Sequence, residues 1–151
     1  MNKFAIPVVA AILTATVSGP SLSMGKSDSA TTPKGGYTQA EQAVKAREYK
    51  RAIGMLQKVV SMEPKNVDAL NYLGYSHRQL GQYKQSLVYY RRALAIKPGH
   101  RGANEYLGQL YLRTGNMKGA KAQLAKLEKL CPSGCEERDS LRAALAKASK
   151  S

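Results

Sequence analysis

Cys131 and Cys135 are the only cysteines in the chain, and they stand in CPSGC with Pro132, Ser133 and Gly134 between them. Paired thiols can hold a soft metal ion, exchange electrons with another thiol, or close a structural disulfide. Two thiolates do not complete a metal site, and the only imidazoles available to help are His77 and His100. A redox pair needs a depressed thiol pKa, which a helix N-terminus favours and the neighbouring Glu136 and Glu137 oppose. The spacing is CxxxC, not the thioredoxin-like CxxC. In an oxidising compartment a disulfide is the expected outcome; in a reducing one the thiol and metal readings gain.

No other motif of catalysis accompanies the pair. The sequence contains no GxxxxGK[ST] phosphate loop and no Ser/His/Asp arrangement, and Glu41, Glu63, Asp68, Glu105 and Glu128 are scattered on different helical faces. The expectation is a protein that is not an enzyme and carries no cofactor, with a thiol-redox or copper-handling accessory role for the CxxxC pair as the alternative.

The compartment is read from the N-terminus. A short basic start, MNK, precedes the uncharged, mostly apolar run Phe4 to Val17, followed by small residues. That is the layout of a secretory signal peptide, and the run is shorter than the roughly 20 residues needed to span a bilayer. Residues 1–23 are assigned to the signal, residues 24–36 (MGKSDSATTPKGG) to a flexible leader too polar to order itself, and the protein to the periplasm or the secreted fraction.

The remaining chain is punctuated by Pro64, Pro98 and Pro132, each 34 residues from the next. A fixed period of this length indicates a repeat array. In that register Leu73-Gly74 aligns with Leu107-Gly108, Gly81 with Gly115, and Ala52 with Ser86 and Ala120. Leu56, Tyr90 and Leu124 form an apolar column. Leu70, Leu73, His77 and Leu80 recur at helical spacing. Glycine inside a helix costs about 1 kcal/mol relative to alanine, so Gly74 and Gly108 imply close helix approach, with Gly119 expected to be uncrowded by comparison, whereas Gly81 and Gly115 suit left-handed turns.

The pattern resembles the tetratricopeptide repeat, a helix–turn–helix family, most closely in the middle repeat at Leu70, Leu73, Gly74, Tyr83, Tyr90, Ala93 and Pro98. The resemblance implies an all-α, right-handed α-solenoid of three repeats over 37–134, with 33–66 degenerate, then 67–100 and 101–134, and a capping helix and tail over 135–151. In the first repeat Gly36, Gln39, Ala40 and Arg47 depart from the pattern, and its first helix is expected to begin at Thr38 with Glu41 completing a capping box. Ser133 and Glu136 predict a second capping box that starts the last helix near Gly134.

The resemblance further implies a non-catalytic adaptor or scaffold, which the signal-like N-terminus would place in the bacterial cell envelope. Its concave groove would be lined by Asn71, Tyr75, Arg78, Gln79, Glu105, Gln109, Leu112 and Arg113 and would take an extended or acidic peptide. The columns with which chaperone-tail readers of the family clamp a carboxylate hold Tyr37, Glu41, Tyr72, Gly102 and Tyr106 here, so that clamp is missing. A formal net charge of +14 favours acidic partners. Protein or peptide is the expected partner, with peripheral contact to anionic envelope surfaces and without nucleic acid.

Overall fold

The computed structural model describes residues 33–150, which form seven helices: α1 (Pro33–Lys45), α2 (Tyr49–Met62), α3 (Val67–Gln79), α4 (Tyr83–Ile96), α5 (Arg101–Arg113), α6 (Met117–Leu130) and α7 (Glu136–Ala148). The signal assignment and residues 24–32 of the leader lie outside the described residues. Consecutive helices pair as α1 with α2, α3 with α4 and α5 with α6, and α7 closes the stack on α5 and α6. The odd-numbered helices also touch one another in series, α1 to α3 to α5 to α7, whereas α2, α4 and α6 do not meet. A stack that is tighter on its odd-helix side is concave on that side.

Each pair buries a stripe that neither helix can cover alone. Ala40, Val44, Leu56, Val59, Leu70 and Leu73 share one core; Tyr90, Leu107 and Leu110 form the next; Leu127, Leu141 and Leu145 fill the space beneath the cap. The small-residue column is fully buried at Ala52, Ser86 and Ala120, and the Ser86 hydroxyl, lodged there, donates to the carbonyl of Gly74 at 2.7 Å. Arg47, Gly81 and Gly115 occupy one turn column and all adopt left-handed backbone, with φ of 61°, 73° and 75°. The degenerate first repeat thus keeps the turn conformation although it lacks the glycine that suits it.

Three local expectations are corrected. The first helix starts at Pro33, so residues 33–36 of the expected leader are helical and Thr38 lies inside α1, not at its cap; proline at the first helical position presets φ and forfeits only an N–H that has no intrahelical partner. The last helix starts at Glu136 after Cys135, with no side-chain cap bond from Ser133. Gly119, expected to be uncrowded, would meet Tyr111 Cδ2 at 2.7 Å and Asn116 Nδ2 at 2.8 Å if it carried a Cβ. The crowding arises because the Asn116 side chain caps α6 by accepting from Gly119 N–H at 2.8 Å.

Candidate functional site

The concave face is built from α1, α3, α5 and α7, and tyrosines dominate its middle. Tyr75 of α3 stacks obliquely on Tyr106 of α5 with ring centroids 5.0 Å apart, and meets Tyr49 of α2 edge-on at 6.0 Å. Tyr72 sits 6.1 Å from Tyr37, and its hydroxyl donates to Glu41 at 3.4 Å. Burial holds the Tyr106 phenol in its neutral form, with its pKa pushed up to about 12. Burial raises Tyr37 and Tyr72 in the same direction, with Asp68 and Glu41 adding to it.

Arg78 lies across this surface. Its guanidinium carbon is 5.2 Å from the Tyr75 ring centre and 5.8 Å from that of Tyr106, and its Nε has no hydrogen-bond partner. A cation over ring faces is held in place by their quadrupoles. Charge is also distributed by helix end: Asp68, Glu136, Glu137 and Asp139 occupy first turns of the concave helices, and Lys45, Arg78, Arg113 and Lys147 occupy last turns. These charges face the helix end whose partial charge opposes them and make one edge basic; the other edge mixes acids with Arg101, the first residue of α5, which pairs with Glu137 at 3.5 Å.

The eight expected groove residues do not form one surface. Tyr75 and Arg78 share the aromatic centre, with Gln79 exposed beside them. Asn71 is only 7% exposed and lies with Tyr72, Tyr106 and Glu105 around a cavity of about 400 Å³ whose rim carries Lys97 and Arg101 beside Glu136 and Glu137. Glu105 is roofed by the cap: Ser140 Oγ donates to its Oε1 at 2.6 Å. Burial raises its carboxyl above the ordinary value, the Ser140 bond opposes this, and Glu137 reinforces it. Gln109, Leu112 and Arg113 line a separate cleft with Ala144, Lys147 and Ala148 of α7, and Leu112 also packs on the core beneath the cap. Sequence reasoning placed Tyr72 and Tyr106 only in the columns of the missing clamp and did not single out Ser140; the three occupy a single 34-residue column, one position beyond that of Asn71 and Glu105.

The cysteine corner joins α6 to α7. The Cys131 and Cys135 sulfurs are 2.06 Å apart and their Cα atoms 6.0 Å apart, a bonded pair. Gly134 turns the backbone with φ 110°. Arg138 completes the corner: its Nη1 donates to the carbonyls of Cys131 at 3.2 Å and Pro132 at 3.1 Å. One repeat earlier Asn104, in the same column, donates to the carbonyl of Pro98 at 2.9 Å. The equivalent carbonyls of Pro98 and Pro132, just past the ends of α4 and α6, are therefore tied to the next helix by different side chains.

The histidines are spoken for elsewhere. His100 caps α5 by accepting from Ala103 N–H at 3.0 Å through Nδ1, which leaves its Nε2 to donate to Asp68 at 2.9 Å. His77 is buried, stacked on Tyr89 at 5.2 Å and bonded to Gln82. Among the described residues no group of three His, Cys, Asp or Glu side chains converges as a metal site would require, and no helix is long and apolar enough to cross a membrane.

Two family models, each described as tetratricopeptide repeat, match residues 37–101 and 77–145. Among curated proteins none matches the sequence. PcrH, solved in complex with the chaperone binding region of PopD, superposes with a TM-score of 0.69 at 16% identity, over 78% of this chain and 90% of that one. The first TPR of Spaghetti (RPAP3), bound to the HSP90 peptide SRMEEVD, gives 0.69 at 18% identity over 79% and 94%. A MamA structure gives 0.62 at 20% identity over 69% of this chain, which spans 60% of the MamA chain. At such identities the likeness is one of fold, and it agrees with the repeat register, the left-handed turns and the concave stack: the chain belongs to the tetratricopeptide repeat family.

Proposed function

We propose that the protein is a non-catalytic adaptor of the bacterial cell envelope that grips an extended, acidic peptide in its concave groove. The observation that carries this reading is Arg78, whose guanidinium lies over the Tyr75 and Tyr106 rings. Helix dipoles alone account for cations at last turns; they do not account for the placement of this guanidinium over two tyrosine rings, 5.2 Å and 5.8 Å from their centres. Arginine and tyrosine in a partly desolvated centre are the residue types that dominate binding surfaces. Along the same edge Lys45, Arg113 and Lys147 continue the positive field over the neighbouring helices. PcrH and the Spaghetti domain, which share this fold, were solved with a partner segment and a peptide, and the present chain is inferred to act in the same general way. Export rests on the composition of residues 1–23, and the bonded Cys131–Cys135 pair accords with an oxidising compartment.

The test is a titration of fluorescein-labelled peptides, one acidic and one with each Glu and Asp replaced by its amide, against the chain and its variants. The acidic peptide should bind more tightly than its amide twin. Arg78→Ala should weaken it about tenfold, the loss of a hot-spot contact of roughly 1.4 kcal/mol, with unchanged helicity. Equal affinity for the two peptides removes the acidic reading, and indifference to Arg78→Ala removes the groove.

A further inference from the structure

The outer face of the solenoid carries a pattern that the groove does not use. Every second helix presents an outward stripe at i, i+4, i+8 and i+12, and the stripes agree residue by residue on the 34-residue period. On α2 it is Lys50, Gly54, Lys58 and Met62; on α4 it is Lys84, Val88, Arg92 and Ile96; on α6 it is Lys118, Ala122, Lys126 and Leu130. All twelve residues are exposed. The four large apolar side chains exposed among the described residues are Met62 (49%), Val88 (50%), Ile96 (42%) and Leu130 (43%), and all four belong to these stripes. The acids are elsewhere: α2 and α4 contain none, and Glu128 of α6 is paired with Arg142 of the cap at 2.9 Å.

We infer that this face docks on an anionic lipid bilayer. The stripes supply what such a surface recognises, namely lysine and arginine near the headgroups and aliphatic side chains that gain by entering the interface. The long cationic stems can lie along apolar surface while their charged heads stay in water. A duplex of nucleic acid would use the cations alone, because phosphate contacts draw nothing from exposed Met62, Ile96 and Leu130. Folding accounts for only part of the ladder: Leu130 lies beside Gly99 and Met62 lines a cleft with Gly36 and Gln39, yet each stays about half in solvent. The inference is independent of the peptide groove, which opens on the opposite face. A protein docked in this way would hold its groove toward the aqueous side.

The experiment is flotation of the chain beginning at Met24, which keeps all seven described helices, with vesicles of phosphatidylglycerol mixed with phosphatidylcholine and with vesicles of phosphatidylcholine alone. Binding is expected only to the first. Replacing Lys50, Lys84 and Lys118 with Gln should weaken it by on the order of a hundredfold. Removing the same number of charges from the groove edge, Lys45, Arg113 and Lys147 to Gln, should cost far less. Met62, Ile96 and Leu130 to Ser should also weaken flotation while leaving helicity intact. Equal losses for the two charge variants would show net charge alone at work and overturn the inference. So would equal binding to both vesicle types, or tighter binding to duplex DNA at the same salt that ignores the Ser variant.

Discussion

Gly74 lies flat against the ring of Tyr90: a Cβ at Gly74 would stand 2.5 Å from Cε1 and 2.6 Å from Cδ1. Tyr90 is fully buried, so its ring has no solvent to move into. In the next repeat the matching Gly108 faces Leu141 of the cap, whose Cδ2 would be 2.5 Å from the added carbon. The same glycine column therefore seats an aromatic ring inside one pair and the capping helix at the end of the stack.

From this the glycines can be ranked. Gly74→Ala should destabilise by about 1–3 kcal/mol, the usual range for overpacking a filled core, and Gly108→Ala by less, because its nearest neighbours are the rotatable ends of a leucine. Gly54, in the middle of α2, has nothing within 4 Å of the added carbon, so Gly54→Ala should stabilise by about 1 kcal/mol through helix propensity. Urea midpoints of the three variants test the order; a Gly74 variant as stable as the parent would refute the packing argument.

Arg47 supplies the second prediction. It holds φ of 61° at the turn where the other two repeats place Gly81 and Gly115, and left-handed backbone costs a residue with a Cβ about 1–2 kcal/mol. Arg47 is exposed, so little packing is lost with its side chain. Arg47→Gly should raise stability by about 1 kcal/mol in thermal melts, whereas Gly81→Arg should lower it by a similar amount. If both changes were neutral, the turn would not carry the strain assigned to it.

The solenoid was legible because its main determinants repeat. Prolines at one spacing, glycines at two columns and a small-residue column describe packing that is the same in every repeat. What the sequence hid were positions solved differently each time. Asn104 and Arg138 are chemically unlike yet tie equivalent corner carbonyls, and His100 caps a helix as Asn66 does at the preceding corner. The groove residues suffered likewise, because which of them stay open depends on how α7 settles. That one contact packed Leu112 partly against the core beneath the cap and roofed Glu105 with Ser140. The capping boxes failed because a Ser/Thr and Glu spacing states only that a cap can form, and Pro33 and Cys135 set the actual starts.

Glu105 gives a pH prediction whose sign follows from its burial. Its folded pKa is raised above the ordinary 4.5, so the native state takes up this proton before the unfolded chain does. Stability contributed by the group is therefore lowest at neutral pH, rises as pH falls through the folded value, and is complete below the unfolded one. Glu105→Gln keeps an oxygen for the Ser140 hydroxyl and removes the charge. It should be more stable than the parent at neutral pH, with the difference shrinking as pH falls toward 4.5. A difference that is flat or grows on acidification contradicts the assignment.

The last prediction concerns the corner between Cys131 and Cys135. The bond closes a loop with a sequence separation of only four, for which the chain-entropy model gives about 2 kcal/mol. It acts at the α6–α7 junction, where Arg138 independently holds the carbonyls of Cys131 and Pro132. Replacing both cysteines with Ser should therefore loosen α7 first, seen as faster amide exchange at Leu141 and Leu145, while α3 and α4 keep their protection. Arg138→Ala should act on the same amides. The two changes combined should differ from the sum of their separate effects, because they share one turn of backbone. Peptide binding at Arg78 should survive the cysteine change, since Tyr75 and Tyr106 are fixed by α3 and α5. Should exchange accelerate uniformly across all seven helices, the corner would be a global staple and not a local one; should Leu141 and Leu145 stay protected even in the combined variant, α7 would be held by its apolar contacts alone.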